Sequence, residues 1–192
     1  LMERTGLVAQ LFAFAEALVG WVIGGFGLAT VTTCVLFGAI SGSAVAAASA
    51  IGGIMTEGMV KDGYPRPFTA GVNITSASTG LVIPPSNALI VYALASGGSA
   101  SVAALFLAGY IPGILVGLGL MAVVFIYSRR YDLPKGDRVA LSEVWKSFKG
   151  AFFSLLMLVI VVGGIVLGIF TATEGAAIAV VYAAVLALAY KE

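Results

Sequence analysis

Two short stretches hold the residues that could do chemistry in an otherwise apolar chain. The first is Ser41-Gly42-Ser43, set inside GAISGSAVAAASAIGG; the second runs from Gly80 to Asn87, GLVIPPSN. In both, an apolar run is interrupted by residues that end a helix. Gly42 allows backbone angles that a helix forbids. Pro84 and Pro85 lack an N–H and clash with the preceding turn, so a helix stops there, and Pro85 is tolerated in the first turn of the next one. Each interruption creates helix ends. C-terminal ends offer unpaired carbonyls, and N-terminal ends offer N–H groups with partial positive charge. Carbonyls joined by serine hydroxyls make a hard oxygen cage that suits Na⁺ without a carboxylate, and N-terminal ends suit an anion. The same residues also serve plain packing: Gly, Ser and Ala let helices approach closely, and a membrane proline is commonly a kink.

The elements around these stretches follow from composition. The 192 residues are 60% hydrophobic and 10% charged, with a mean hydropathy of +1.09. That is too little polar surface for a soluble domain, so the class is an all-α integral membrane protein. A net charge of +1 gives no field for nucleic acid. The chain has no His, which excludes His-based acid–base chemistry and His metal ligation, and its lone Cys34 excludes an internal disulfide framework. Nothing points to a metal beyond Na⁺, or to another cofactor. The first residues, Leu1-Met2-Glu3-Arg4, hold no initiator Met or leader pattern, so a fragment is expected.

Charges punctuate the chain. Between Thr5 and Thr56 the only charge is Glu16, Phe68–Ser128 has none, and 150–190 carries only Glu174. A spanning helix needs about 20 apolar residues. The expected organisation is a region 1–128 containing a span at 6–29, a hairpin of two half-length helices at 30–56, a broken helix at 68–98 and a span at 102–128 kinked at Pro112. A polar linker follows at 129–149, and 150–192 holds two further spans split near Thr171–Glu174. The linker carries Arg129, Arg130, Lys135, Arg138, Lys146 and Lys149, which places it in the cytoplasm by the positive-inside rule, with Lys61–Arg66 on the same side. Within it, Leu141, Val144, Trp145 and Phe148 recur at helical spacing, the pattern of an amphipathic arm helix at the bilayer surface.

Three carboxylates interrupt the apolar runs. Glu57 belongs to the cytoplasmic rim. Glu16 is mid-span, where subunit contact and transport are equally open. Glu174 is expected in a helix first turn, with Thr173 as the cap. Before the second break, Ser76 and Thr79, or Thr75 and Thr79, share a face that could line a polar path.

In order along the chain, GAISGSAVAAASAIGGIM, MVKDGYPRPFTAGV, GLVIPPSNALIVYA, SVAALFLAGYIPGILVGLGLM and GIFTATEGAAIAVVYA resemble the large membrane subunit, DctM type, of tripartite ATP-independent periplasmic (TRAP) transporters. The likeness covers nearly the whole chain. IPPS and GIFT-x-TE are its specific elements; the hydrophobic runs are not. The resemblance implies a multi-pass inner-membrane protein of bacteria or archaea and sodium-coupled uptake of organic acids, of C4-dicarboxylate, sugar-acid or keto-acid type. It implies a periplasmic binding protein that delivers substrate, a small four-helix membrane partner of DctQ type, an elevator-like motion, and two inverted repeats. Each repeat would have a re-entrant hairpin and a proline-broken helix; this chain would hold the first and the start of the second. Ser41, Gly42 and Ser43 match the family's first hairpin tip, and Gly80, Pro84, Pro85 and Ser86 its first broken helix. The resemblance assigns Ser41, Gly42, Ser43, Gly80, Pro84 and Ser86 to sodium, and Ser43 and Pro85 to one wall of the substrate site. Two departures stand out: Ala47 where many members are acidic, and Asn87 where many are apolar. Asn87 is a further candidate substrate contact.

Two other function classes compete. Interrupted helices also build channel filters, but two distinct breaks favour transport over one repeated filter. An intramembrane enzyme fares worst, because no carboxylate cluster, His or Cys stands beside a nucleophile.

Overall fold

The computed structural model describes residues 6–137 and 139–189; Arg138 of the basic linker lies outside them. Among the described residues there are eight α-helices and no strand. They are α1 (Leu7–Val19), α2 (Gly25–Ser41), α3 (Ala44–Lys61), α4 (Arg66–Ala77), α5 (Asn87–Ala95), α6 (Val102–Arg130), α7 (Leu141–Val166) and α8 (Ala172–Ala189), with a 3-10 turn at Ser78–Leu81 between α4 and α5. Both α6 and α7 are long and apolar enough to cross a bilayer. At about 1.5 Å per residue, the 29 residues of α6 exceed the thickness of a hydrocarbon core. Pro112 lies inside α6 without ending it.

Helices α2 and α3 form an antiparallel hairpin, and α4 with the 3-10 turn lies against both of its limbs. The limbs are 17 and 18 residues long, so the hairpin is made of two full helices spanning 25–61 rather than half-length ones at 30–56. The cause lies upstream. The apolar run 6–29 is not one helix; it breaks between Gly20 and Gly24. Gly24 is left-handed (φ 72°), and a Cβ on Gly25 would sit 1.9 Å from the Gly20 carbonyl oxygen, so the chain doubles back on itself there. The turn is held from a distance. Gly24 N–H donates to the Pro134 carbonyl, and Gly136 N–H to the Gly20 carbonyl, each at 3.0 Å. Ile23 and Lys135 form an isolated antiparallel bridge.

Tyr64, 2% exposed, joins the same end of the molecule. Its hydroxyl donates to the Gly24 carbonyl at 3.0 Å and lies 2.7 Å from the Ser128 hydroxyl. Its ring belongs to an aromatic stack with Phe68 and Tyr127, the latter two 3.8 Å apart by centroids. Burial pushes the Tyr64 phenol up, against the opposing effect of the Ser128 hydrogen bond. Burial likewise raises the carboxyl of Asp62, which ends α3.

The linker is shorter than its composition suggests. It runs from Tyr131 to Ala140, because α6 continues through Arg130 and α7 begins at Leu141. The amphipathic segment is therefore not a separate arm: nothing in Lys149-Gly150-Ala151 breaks the helix, and the segment forms the opening turns of α7. There Leu141 and Trp145 stay exposed, while Phe148 packs on Phe14 of α1 with centroids 5.6 Å apart. At the start of α8 the cap is Thr171 rather than Thr173. The Glu174 carboxylate accepts from Thr171 N–H (2.8 Å) and hydroxyl (2.9 Å), and Glu174 N–H donates to the Thr171 hydroxyl at 3.3 Å, a reciprocal capping box.

Candidate functional site

The two breaks meet. Gly42 closes α2 in the left-handed conformation (φ 62°), and its N–H donates to the Gly38 carbonyl at 2.8 Å. Ser43 then caps α3, its hydroxyl accepting from Ala46 N–H at 3.3 Å, while the Ser41 hydroxyl reaches across the turn to the Ser43 carbonyl at 3.3 Å. The second break is built the same way. Ser86 caps α5 by accepting from Leu89 N–H at 3.4 Å, and its hydroxyl donates back to the Leu81 carbonyl at 2.5 Å. The peptide between Pro84 and Pro85 is cis. Asn87 N–H donates to the Gly42 carbonyl at 3.4 Å, and a Cβ on Gly42 would lie 2.4 Å from the Pro85 carbonyl oxygen. The hairpin tip and the proline break are thus in backbone contact, with the C-terminal end of α2 and the N-terminal ends of α3 and α5 converging there.

The sequence-predicted residues divide by position. Gly42, Gly80, Pro84 and Ser86 are buried, Ser41, Ser43 and Pro85 are half-buried, and Asn87 is exposed. Gly80 contributes an approach rather than a side chain. A Cβ on Gly38 would lie 2.8 Å from Gly80 Cα, so the 3-10 turn crosses α2 glycine on glycine. Ala47 lies one turn beyond the tip, its N–H donating to the Ser43 carbonyl at 3.1 Å, and its methyl is buried in the cluster of Val8, Leu11 and Cys34 that joins α1, α2 and α3. Of the polar face before the break, Asn73, Ser76 and Thr79 are buried and Thr75 is exposed. Asn73 donates to the Thr56 hydroxyl of α3 at 2.9 Å, which ties α4 to the hairpin limb.

A cavity of about 160 Å³ opens beside the junction. One side is Ser41, Pro85 and Asn87 together with Ile40 and Ile90; the other is α7, through Met157, Val161 and Ile165, with alanines of α8. No lining residue is charged, so the cavity offers hydroxyls, an amide and helix ends. Such a set can hold a small cation by neutral oxygens or an anion by N–H groups; it has no general base and no nucleophile activated by one.

The sequence reading missed the cradle behind the break. Gly109, Gly113 and Gly117 of α6 are buried. A Cβ on Gly109 would meet the Val82 carbonyl at 2.6 Å, and one on Gly113 would meet Ile83 Cγ1 at 2.4 Å. The signal was present as small residues every fourth position, the spacing of close helix contact.

All of residues 1–192 match the family described as "Tripartite ATP-independent periplasmic transporter, DctM component". The chain is 49% identical over 192 residues to the uncharacterized protein YgiK of Salmonella typhimurium, covering 100% of this chain and 44% of that protein. It is 46% identical over 187 residues to the C4-dicarboxylate TRAP transporter large permease protein DctM of Pseudomonas aeruginosa (97% and 43%). It is 40% identical over 186 residues to the sialic acid TRAP transporter large permease protein SiaM of Vibrio cholerae (95% and 42%). The chain spans less than half the length of these relatives.

Proposed function

The chain belongs to the DctM component family of tripartite ATP-independent periplasmic (TRAP) transporters, and from that membership we propose that it forms part of a sodium-coupled secondary transporter for organic acids in the bacterial inner membrane. The observation that carries the reading is the junction of the two breaks, where Asn87 N–H meets the Gly42 carbonyl at 3.4 Å. Broken helices that converge inside a bilayer leave backbone groups that lipid cannot satisfy, and these are suited to ions and to anionic substrates.

In this reading α2 and α3 are a re-entrant hairpin opening to the cytoplasm, and α4 to α5 is the broken helix of a first repeat. Sodium is held at the tip and break, among Ser41, Gly42, Ser43, Gly80, Pro84 and Ser86. Ser43, Pro85 and Asn87 face the carboxylate of the substrate. Neutral oxygens hold the cation, because Ala47, one turn from the tip, brings no carboxylate to it. A periplasmic binding protein delivers the substrate, and a small four-helix subunit of DctQ type completes the membrane part. The names of the relatives, a C4-dicarboxylate and a sialic acid permease, support a carboxylate substrate.

The test is uptake in proteoliposomes holding the full-length parent, its small subunit and its binding protein, with labelled organic acids and an imposed sodium gradient. Saturable uptake that needs both sodium and the binding protein is expected. Uptake or ohmic current that needs neither would overturn the proposal in favour of a pore.

A further inference from the structure

One branched apolar side chain sits inside the proline break. Ile83 stands between the 3-10 turn and Pro84 and is 4% exposed. The backbone around it is short of donors. The N–H groups of Val82 and Ile83 both go to the Thr79 carbonyl, at 3.0 and 2.9 Å. Pro84 and Pro85 have none to give. The Leu81 carbonyl takes the Ser86 hydroxyl instead, at 2.5 Å. The Gly80 carbonyl is left without a donor from residue 83 or 84, the two that a 3-10 helix or an α-helix would supply. Such a carbonyl can ligate a cation only while its position is held. What holds it is α6. A Cβ on Gly113 would overlap Ile83 Cγ1 and stand 3.5 Å from Ile83 Cα. One turn earlier, a Cβ on Gly109 would stand 2.6 Å from the Val82 carbonyl oxygen and 3.6 Å from Pro84 Cδ. Ile83 is branched at Cβ, so its side chain cannot swing aside cheaply. The far side allows no retreat either, because a Cβ on Gly80 would stand 2.9 Å from Gly38 Cα of α2.

We propose that Ile83 is a positioning residue for sodium: seated over Gly113 of α6, its side chain fixes the register of the break and so sets the sodium affinity, although it cannot itself ligate an ion. This rests on the transporter reading above and deepens it. The break touches the hairpin tip through Asn87 N–H and the Gly42 carbonyl at 3.4 Å, a contact with no slack. A shift of the break along α6 moves the Gly80 carbonyl, Ser86 and Asn87 together, because residues 80 to 87 are tied by the Thr79 and Leu81 bonds. Ligands carried on such a segment lose their common focus by a displacement smaller than one methyl group. The fit of Ile83 against Gly113 therefore reaches the ion through backbone, with α6 supplying shape and no oxygen.

The experiment measures uptake against sodium concentration in the full-length transporter with both partners. Gly113→Ala puts a methyl where Ile83 Cγ1 lies. Ile83→Ala empties the seat, Ile83→Val keeps both γ carbons, and Gly113→Ala with Ile83→Ala lets the new methyl take the vacated space. Each of the single variants Gly113→Ala and Ile83→Ala should raise the sodium concentration for half-maximal uptake by about fivefold or more, the scale of overfilling or emptying a packed contact. The double variant should return toward the parent, a coupling that two independent defects would not show. Ile83→Val should shift the value less than Ile83→Ala. A merely structural defect would lower the maximal rate and the amount of protein in the membrane and leave sodium half-saturation where it was; that result, or shifts that add in the double variant, would overturn the proposal while leaving sodium-coupled transport intact. Where Gly113→Ala does not reach the membrane, equal sodium dependence in Ile83→Ala and Ile83→Val would overturn it. Uptake by the parent that needs no sodium would overturn the transporter reading as well.

Discussion

Replacing Gly42 by Ala should undock the hairpin tip from the proline break. Gly42 sits at φ 62° and ψ 15°, and a residue with a Cβ pays roughly 1–2 kcal/mol in this left-handed region. The new methyl carbon would also be built 2.4 Å from the Pro85 carbonyl oxygen, well inside van der Waals contact with backbone that cannot rotate away. The tip must retreat, and the Asn87 N–H to Gly42 carbonyl bond at 3.4 Å goes with it, worth another ~0.5–1.5 kcal/mol. The docked arrangement is then disfavoured by roughly 1.5–3.5 kcal/mol on those two figures. Sodium that binds only the docked tip must repay this, so the sodium concentration for half-maximal uptake should rise by about tenfold or more in the full-length protein. Gly52→Ala is the control. It lies in the same hairpin, inside α3, and nothing stands within 4 Å of its Cβ. Removing a helical glycine there should be neutral or stabilise by up to ~1 kcal/mol. If Gly42→Ala tracks Gly52→Ala in sodium dependence, the contact between the two breaks has no part in binding the ion.

Two further perturbations test the opposite end of the molecule. Tyr64→Phe leaves the buried Gly24 carbonyl and Ser128 hydroxyl without the phenol, and should cost about 1–3 kcal/mol in denaturant unfolding of the full-length protein; an unchanged midpoint would refute the proposed tie between the α1–α2 turn, the loop before α4 and the end of α6. Asp62→Asn should stabilise the fold at neutral pH. Burial raises the native carboxyl above its ordinary value of about 3.9, so the stability of the parent is fully present below that pH and falls as pH rises through the raised value. The amide does not titrate, so the gain should vanish in acid; a pH-independent difference in thermal midpoint would refute that assignment.

The two breaks were legible because their cause is local. Gly42 must adopt a left-handed angle and Pro84-Pro85 cannot continue a helix, whatever surrounds them. The turn at 20–24 was not legible for the opposite reason. Its residues, Gly20-Trp21-Val22-Ile23-Gly24, are as lipid-like as a spanning helix, and Gly24 and Gly20 take their partners from Pro134 and Gly136. A break stabilised more than a hundred residues away leaves no mark on local composition. The arm at 141–149 misled in the other direction: its amphipathic face is real, but amphipathicity says which side of a helix is wet, not where the helix ends. Thr171 was passed over for Thr173, although Thr171 and Glu174 stand at the three-residue spacing of a capping box.

Gly109, Gly113 and Gly117 change what the proline break is. Read from sequence, Pro84-Pro85 explains why a helix stops; it does not explain where the stopped chain can lie. The segment 82–86 has no helical ladder, so its backbone must be covered by something that comes close without a side chain. The structure supplies that with α6, whose glycine at 109 admits the Val82 carbonyl and whose glycine at 113 admits Ile83. On the other side Gly38 of α2 receives Gly80. The break is therefore gripped between two glycine surfaces, one on the hairpin and one on α6, and the candidate residues Ser86 and Asn87 follow directly from that grip. Their position is set by residues with no chemistry of their own, which is why a search for chemistry in the sequence led to the candidate residues and not to their support.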